Sequence, residues 1–263
     1  MPDCLGNSIS TTPVIHTLGA GNTDEKIVSV LFEDDFSSGD FSAGWGHGSE
    51  VSVVADVGRP FAARCIYNGD GTTGPHSLIV PNGNFGTDLD EVFIEYDMKW
   101  STYVNCKCLK VHGIDQGNHK ANTTLNPLPG GGVGIQFGDG SGVNNDTQQG
   151  FYSSTGFDVE GGNAYTRGFD GQYITPDNNP GTEILFDDTW QNFRARVKFG
   201  DNNDAITEYY VNRILKAAAV GYTNKHPDNS AIDRITFFDF AHTPYNGTGY
   251  VTNVKISTGG WVD

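Results

Sequence analysis

Two groups of oxygen-bearing residues are of the types that hold a hard cation. Glu33, Asp34 and Asp35 stand side by side, and Asp139, Asn144, Asn145 and Asp146 crowd a glycine-rich stretch. Carboxylates and amide carbonyls are the ligands Ca²⁺ takes. The second group lacks the spacing and terminal Glu of an EF-hand loop, so calcium, through Asp34, Asp35 and Asp139, is an optional cofactor and nothing else is required. Cys106 and Cys108 stand two apart, a separation that rarely closes a disulfide, and without a second cluster they are weak evidence for zinc. Cys4 and Cys65 are isolated, so four reduced thiols are expected. The run Gly130-Gly131-Gly132 is not followed by Gly-Lys-Ser/Thr and is no P-loop. No serine sits in a nucleophile elbow. Asn-x-Thr triplets occur at Asn122, Asn145 and Asn246, as chance would place them in a chain rich in Asn and Thr.

The elements that must position such residues belong to a chain of 263 residues with 32 acidic and 16 basic side chains, a formal charge of −16. So acidic a surface repels phosphate backbones and excludes free nucleic acid as a partner. Charged residues make up 18%, below the roughly 25% of average chains, aromatic residues 12%, and there are 35 glycines. Many turns and many rings point to sheets joined by long loops, and the length suits one large β domain. No stretch approaches the roughly 18 apolar residues of a membrane helix, so no membrane partner is expected. Met1 to Leu18 lacks the basic and apolar regions of a Sec signal. Either the chain works without that export route or a leader has been removed.

Residues 1–27 have no hydrophobic period and form an extended N-terminal arm, ordered only if it docks on its own domain or on a neighbouring subunit. Residues 28–263 read as strands. Val92, Ile94, Tyr96, Met98 and Trp100 alternate with Glu95, Asp97 and Lys99, and Phe193 to Phe199 alternates with three cations on its outer face. Further strands are predicted at Val28–Phe32, Val51–Val57, Ala62–Tyr67, Val133–Phe137, Ile206–Val211, Ile235–Phe240 and Tyr250–Ile256. A helical turn or two is predicted near Ile214–Val220. Asn126–Gly150 is predicted as a loop pair around one short strand, and Asp170–Gly181 as a second loop block.

The order of these elements resembles the concanavalin A-like (laminin G-like) jelly rolls. Leu31-Phe32-Glu33-Asp34-Asp35-Phe36 followed by Gly44-Trp45 is similar to their first strand. Glu95 to Trp100 followed by Lys107 to Val111 resembles a central hairpin. Trp190-Gln191-Asn192-Phe193-Arg194-Ala195-Arg196-Val197 resembles a later strand, Tyr209 to Asn212 a short strand and turn, and Tyr250 to Ile256 the closing strand. The resemblance covers about residues 28–258. It implies an all-β fold, a two-sheet antiparallel jelly-roll sandwich, with Tyr96, Trp100, Trp190, Phe193, Val197 and Phe237 in the core. The closing Trp261 is expected to cover a strand edge or a neighbouring subunit.

Subgroups of that fold imply different activities. Laminarinase-type glycosidases carry Glu-x-Asp-x-x-Glu on one strand; here Glu95 and Asp97 fit and Trp100 takes the third position, so the two-carboxylate mechanism fails. Alginate- and glucuronan-type lyases need a group to neutralise the uronate carboxylate and another to take the C5 proton. The resemblance implies Lys110, His112, Gln136, Tyr165 and Arg167 for that work, with Lys110 and His112 sharing a strand face with Cys106 and Cys108. The Gly-Gly-Lys-Leu-Pro-Gly stretch of those lyases is replaced by Cys106-Lys107-Cys108-Leu109-Lys110. Lectins and virion surface proteins of the fold bind sugar on loop aromatics, here Tyr152, Tyr165, Tyr173 and Tyr245. Many modules of the fold also carry a structural calcium.

Taken together, the absent Sec signal, the reduced thiols, the broken catalytic motifs and the unpatterned arm favour a non-enzymatic virion surface protein, a phage capsid-decoration or fibre-type jelly roll. Such a protein would touch other subunits of an oligomer or capsid shell through residues 1–27, with a glycan as a further ligand. The alternatives are a free carbohydrate-binding module or a polysaccharide lyase acting on acidic glycans, placed outside the cell rather than in the virion. No turnover of common polysaccharides is expected on the main reading.

Overall fold

The computed structural model describes residues 27–262 except 57, 69–75, 84, 87, 116–117, 129–131, 139–148, 154–165, 168–171, 175–182, 223, 225–230 and 240–244. The expectation for the arm therefore lies outside the described residues apart from Ile27. Among the described residues every regular element is a strand. In chain order these are β1 (Ser29–Asp34), β2 (Gly46–His47), β3 (Val51–Asp56), β4 (Arg59–Asn68), β5 (Leu78–Ile79), β6 (Glu91–Trp100), β7 (Leu109–Asp115), β8 (Asn118–Leu128) and β9 (Gly132–Gly138). There follow β10 (Gln149–Ser153), β11 (Thr166–Arg167), β12 (Gln172–Ile174), β13 (Gln191–Lys198), β14 (Ala205–Val211), β15 (Ile214–Tyr222), β16 (Arg234–Phe237) and β17 (Asn246–Thr258).

They form two sheets, antiparallel throughout, packed as the expected jelly-roll sandwich. One is nine-stranded in the order β12-β15-β14-β13-β6-β17-β4-β3, with β1 also pairing β17. The other is eight-stranded, β11-β10-β9-β8-β7-β16-β5-β2. Period-two burial builds the layer between them. On β6 Val92, Ile94, Tyr96, Met98 and Trp100 are buried in the common core, facing Phe237, Leu109 and Val111 of the other sheet. On β13 Phe193, Ala195 and Val197 enter the core, while Arg194, Arg196 and Lys198 stay outside, as the alternation predicts. Tyr96 and Tyr209 share a hydroxyl–hydroxyl bond of 3.0 Å there. Burial, first of all, pushes both phenols well above their ordinary value.

Several expectations are corrected. Trp190 is not a core residue: it lies an odd number of positions before Phe193, so period two turns it to the outer face. There its Nε1 donates to Asp56 Oδ2 at 3.0 Å, with Lys99 Nζ 5.3 Å from the ring centroid. Ile214–Val220 is not helical. Asn212 and Arg213, at φ of 50° and 65°, make the tight turn in which both central residues are left-handed, and β15 returns along β14. Cross-strand pairing overrides the helix propensity of Ala217–Ala219. β6 and β7 do not form a hairpin, because they belong to opposite sheets. Cys106 and Cys108 are buried in the core with Leu109 and Val111, so they do not share the face of Lys110 and His112; regular alternation begins only at Leu109. The stretch Asn126–Gly150 holds the end of β8 and the start of β10 as well as β9. Trp261 covers a sheet face rather than an edge, edge-on to Phe93 at 5.1 Å and Tyr210 at 6.0 Å, with the Arg194 guanidinium 5.0 Å from its ring.

Candidate functional site

The eight-stranded sheet turns Leu109, Val111, Ile235 and Phe237 inward. Period two therefore turns Lys110, His112, Arg234 and Thr236 outward. The register lines these positions up in rows across the strands. One row runs Gly46–Ile79–Thr236–Lys110–Thr124–Gln136 through β2, β5, β16, β7, β8 and β9. The next runs Arg234–His112–Asn122–Gly138–Gln149–Arg167, from β16 to β11. Four positions the lyase resemblance singles out, 110, 112, 136 and 167, thus share one face although the first and last lie 57 positions apart in the chain. Tyr165 lies outside the described residues.

Local chemistry at the centre of this face is specific. His112 is 3% exposed, with Nε2 3.4 Å from Thr236 Oγ1. Lys110 Nζ lies 3.3 Å from Asp239 Oδ2, and Ser77 Oγ donates to Asp239 Oδ1 at 3.3 Å. A left-handed residue places that carboxylate. Phe238, at φ 60°, follows directly on β16 and buries its ring edge-on against Trp100 at 5.6 Å. The next backbone N–H, of Asp239, then donates to Lys107 O at 3.1 Å, and the carboxylate comes over Lys110. Lys110 and His112 are two residues apart on an extended strand, so their backbone positions lie about 6.6 Å apart on the same face. A fixed cation beside an imidazole is the pair needed to hold a carboxylate and move the proton next to it.

Sequence reasoning missed Arg234, Thr236 and Asp239. The alternation of Ile235 and Phe237 already implied that Arg234 and Thr236 face outward. Nothing in the sequence signalled Asp239, whose direction depends on the left-handed turn at Phe238.

The other expected site residues fall elsewhere. Tyr245 packs edge-on against Tyr103 at 5.3 Å and leans on the core. Positions 152 and 173 lie on strands, in register with Ile135 and Ala219, both core residues. Asp34 accepts from Phe36 N at 2.8 Å and Trp45 Nε1 at 2.6 Å, and Asp35 accepts from Ser37 N at 2.8 Å. Asp139 lies outside the described residues. Among those described, no group of three or more His, Cys, Asp or Glu side chains is arranged to hold a metal ion.

Glu95 and Asp97 of the glycosidase-like motif lie on the opposite side of the molecule, on the outer face of the nine-stranded sheet. Glu95 Oε2 pairs with Arg194 at 2.8 Å, and Asp97 Oδ2 with Arg59 at 2.8 Å and Asn253 Nδ2 at 2.8 Å. They line a cavity of about 370 Å³ with Glu33, Asp35, Asn253 and Lys255. Trp100, at the third motif position, is buried in the core behind them.

The sequence matches no protein-family model and no curated protein sequence. Solved structures do share the fold. An alginate lyase from Aplysia kurodai superposes with a TM-score of 0.52 at 11% identity, covering 87% of this chain and 98% of that one. An alginate lyase from a Chlorella virus gives 0.52 at 15% identity, covering 87% of this chain and 99% of that one. At these identities the likeness is one of fold.

Proposed function

We propose that this protein acts on an acidic polysaccharide and cleaves it by β-elimination on the outer face of the eight-stranded sheet. The observation that carries this reading is the register that brings positions 110, 112, 136 and 167 onto one face. In the proposed reaction Lys110 exchanges its pairing with Asp239 for a uronate carboxylate, neutralises it and so acidifies the adjacent C5–H. His112 takes that proton. The C5–H electron pair forms the C4–C5 double bond, the C4–O bond breaks, and the leaving oxygen takes up a proton from water. The fold shared with two alginate lyases supports the choice of substrate class. This reading reverses the weight that the broken motifs alone put on a non-enzymatic role.

The test is ultraviolet absorbance of the unsaturated uronide on alginate and polyglucuronate. Product is expected from the natural chain and is lost in Lys110→Ala and His112→Ala variants whose near-ultraviolet dichroism is unchanged. Saturable binding without product would make the protein a carbohydrate-binding module, and neither binding nor product would remove the reading.

One observation favours a second role beside this one, that of a virion surface protein. Ile27, Val28 and Val30 are 84%, 44% and 49% exposed, so apolar surface lies open where the arm joins β1. A neighbouring subunit clasped by residues 1–27 would cover it. Deleting residues 1–26 should then abolish incorporation into a particle and leave the melting temperature of the domain nearly unchanged. Equal incorporation with and without the arm would refute this role.

A further inference from the structure

Four cations on the outer face of the nine-stranded sheet are paired with carboxylates: Arg59 with Asp97, Lys99 with Asp56, Arg194 with Glu95 and Arg196 with Glu91, all at 2.7–2.8 Å. Arg234 differs. It is exposed, and its side chain has no hydrogen-bond or ion-pair partner among the described residues. It stands in register with His112 on the neighbouring strand, about 4.8 Å across the sheet. Beside it, at the β2–β5–β16 end of the same face, opens a cavity of about 240 Å³. Gly46 and Ile79 line it from the sheet, Pro81 and Asn82 from the following loop, and Asp233 stands beside Arg234 in its wall.

The size of this cavity sets what can enter. It is smaller than the roughly 300–1,000 Å³ of sites that take drug-sized ligands, so it suits a single ring. Ile79 and Pro81 offer apolar surface to the C–H face of such a ring. A Cβ at position 46 would come 3.3 Å from Ile79 Cβ, so the bare glycine keeps that wall low. The guanidinium of Arg234 offers a planar fork of donors that matches a carboxylate in two-point contact. A polymer crossing the strands from Lys110 and His112 therefore meets Arg234 one strand further on and runs out into this cavity.

We propose that Arg234 and this cavity form a second subsite of the same groove, one that reads the carboxylate of the uronate next to the unit held at Lys110. The proposal rests on the lyase reading and names its substrate more closely: a polyuronate with charged rings in succession, rather than a polymer with isolated uronates.

The experiment compares the natural chain with Arg234→Gln, Arg234→Lys and Gly46→Val on alginate and on uronate oligomers of increasing length. Arg234→Gln is expected to raise KM for the polymer roughly tenfold or more, the effect of one charged two-point contact, with a smaller loss on the shortest oligomer cleaved. Arg234→Lys recovers part of it. Gly46→Val, which changes no charge, raises KM in the same length-dependent way by filling the cavity. If the natural chain cleaves and both Arg234→Gln and Gly46→Val keep its KM on the polymer, the subsite is refuted while the lyase reading stands. If the natural chain cleaves nothing, the lyase reading fails, and the subsite is judged on polyuronate binding. Equal Kd for the natural chain and Arg234→Gln then overturns it, and a Kd weakened roughly tenfold supports it.

Discussion

Replacing Trp190 by alanine should cost about half of what the same change costs at Trp100. Both rings belong to strand segments with strong alternation, and both would count as core on hydrophobicity alone. Trp100 is 1% exposed and packs edge-on against Phe238 at 5.6 Å, so its removal should leave a cavity costing about 3–5 kcal/mol. Trp190 is half-buried on the outer face, and its contributions are different in kind. Its Nε1 donates to the Asp56 carboxylate at 3.0 Å, but Lys99 also holds that carboxylate at 2.8 Å, so the lost bond is worth about 1 kcal/mol. Lys99 Nζ and the Arg59 guanidinium lie 5.3 and 5.5 Å from the ring centroid, and cation–π attraction of that kind contributes about 0.5–1 kcal/mol each. The total is about 2–3 kcal/mol. Trp190→Phe keeps an aromatic face for the two cations but loses the five-membered ring with its N–H, so it should cost about 1–2 kcal/mol, less than Trp190→Ala. Urea titrations read all three variants, with unchanged m-values as the check that the unfolded reference is common. The reasoning is refuted if Trp190→Ala costs as much as Trp100→Ala, or if Trp190→Phe costs as much as Trp190→Ala.

Three further outcomes can be checked without a substrate. Cys65, Cys106 and Cys108 are buried and free, and burial pushes their thiols up, Cys108 to about 12. A thiol reagent at mildly alkaline pH should leave these three unreacted in the native protein and label them once guanidinium unfolds it; rapid native labelling of any of them would contradict their placement. Gly249→Ala should destabilise by about 1–3 kcal/mol, because a Cβ there would come 2.6 Å from Trp100 Cζ3 and 2.7 Å from Phe238 Cε1. An unchanged melting temperature would mean that β17 does not lie so close to those rings. The Lys198 ammonium, 2.7 Å from Asp204, holds the Asp204 carboxyl below its ordinary 3.8. A lowered folded-state value contributes stability above the unfolded value and loses it as pH falls through the folded one. The small gap in stability between the natural chain and Asp204→Asn should therefore close below about pH 4; a gap that widens on acidification would show the sign to be wrong.

The all-β class, most strand positions and the inward faces of β6 and β13 were legible in the sequence, because period-two alternation is a property of neighbouring residues and needs no partner strand. The outward pairing of Lys110 with His112 was legible on the same ground, and the outer position of Trp190 followed from parity once Phe193 faced inward. What the chain could not announce by itself were matters decided between distant segments. Ala217–Ala219 are good helix formers, yet β14 captures them as a strand through a turn made possible by two left-handed residues. Asp239 reaches Lys110 across 129 residues of sequence because Phe238 turns the backbone at that point. Arg234 comes beside His112 only because β16 pairs with β7, and the cavity next to it exists only because β5 and β2 continue that sheet. Alternation tells each strand which side is in; which strands lie next to each other, and so which side chains meet on the outer face, is settled by the packing of the whole sandwich.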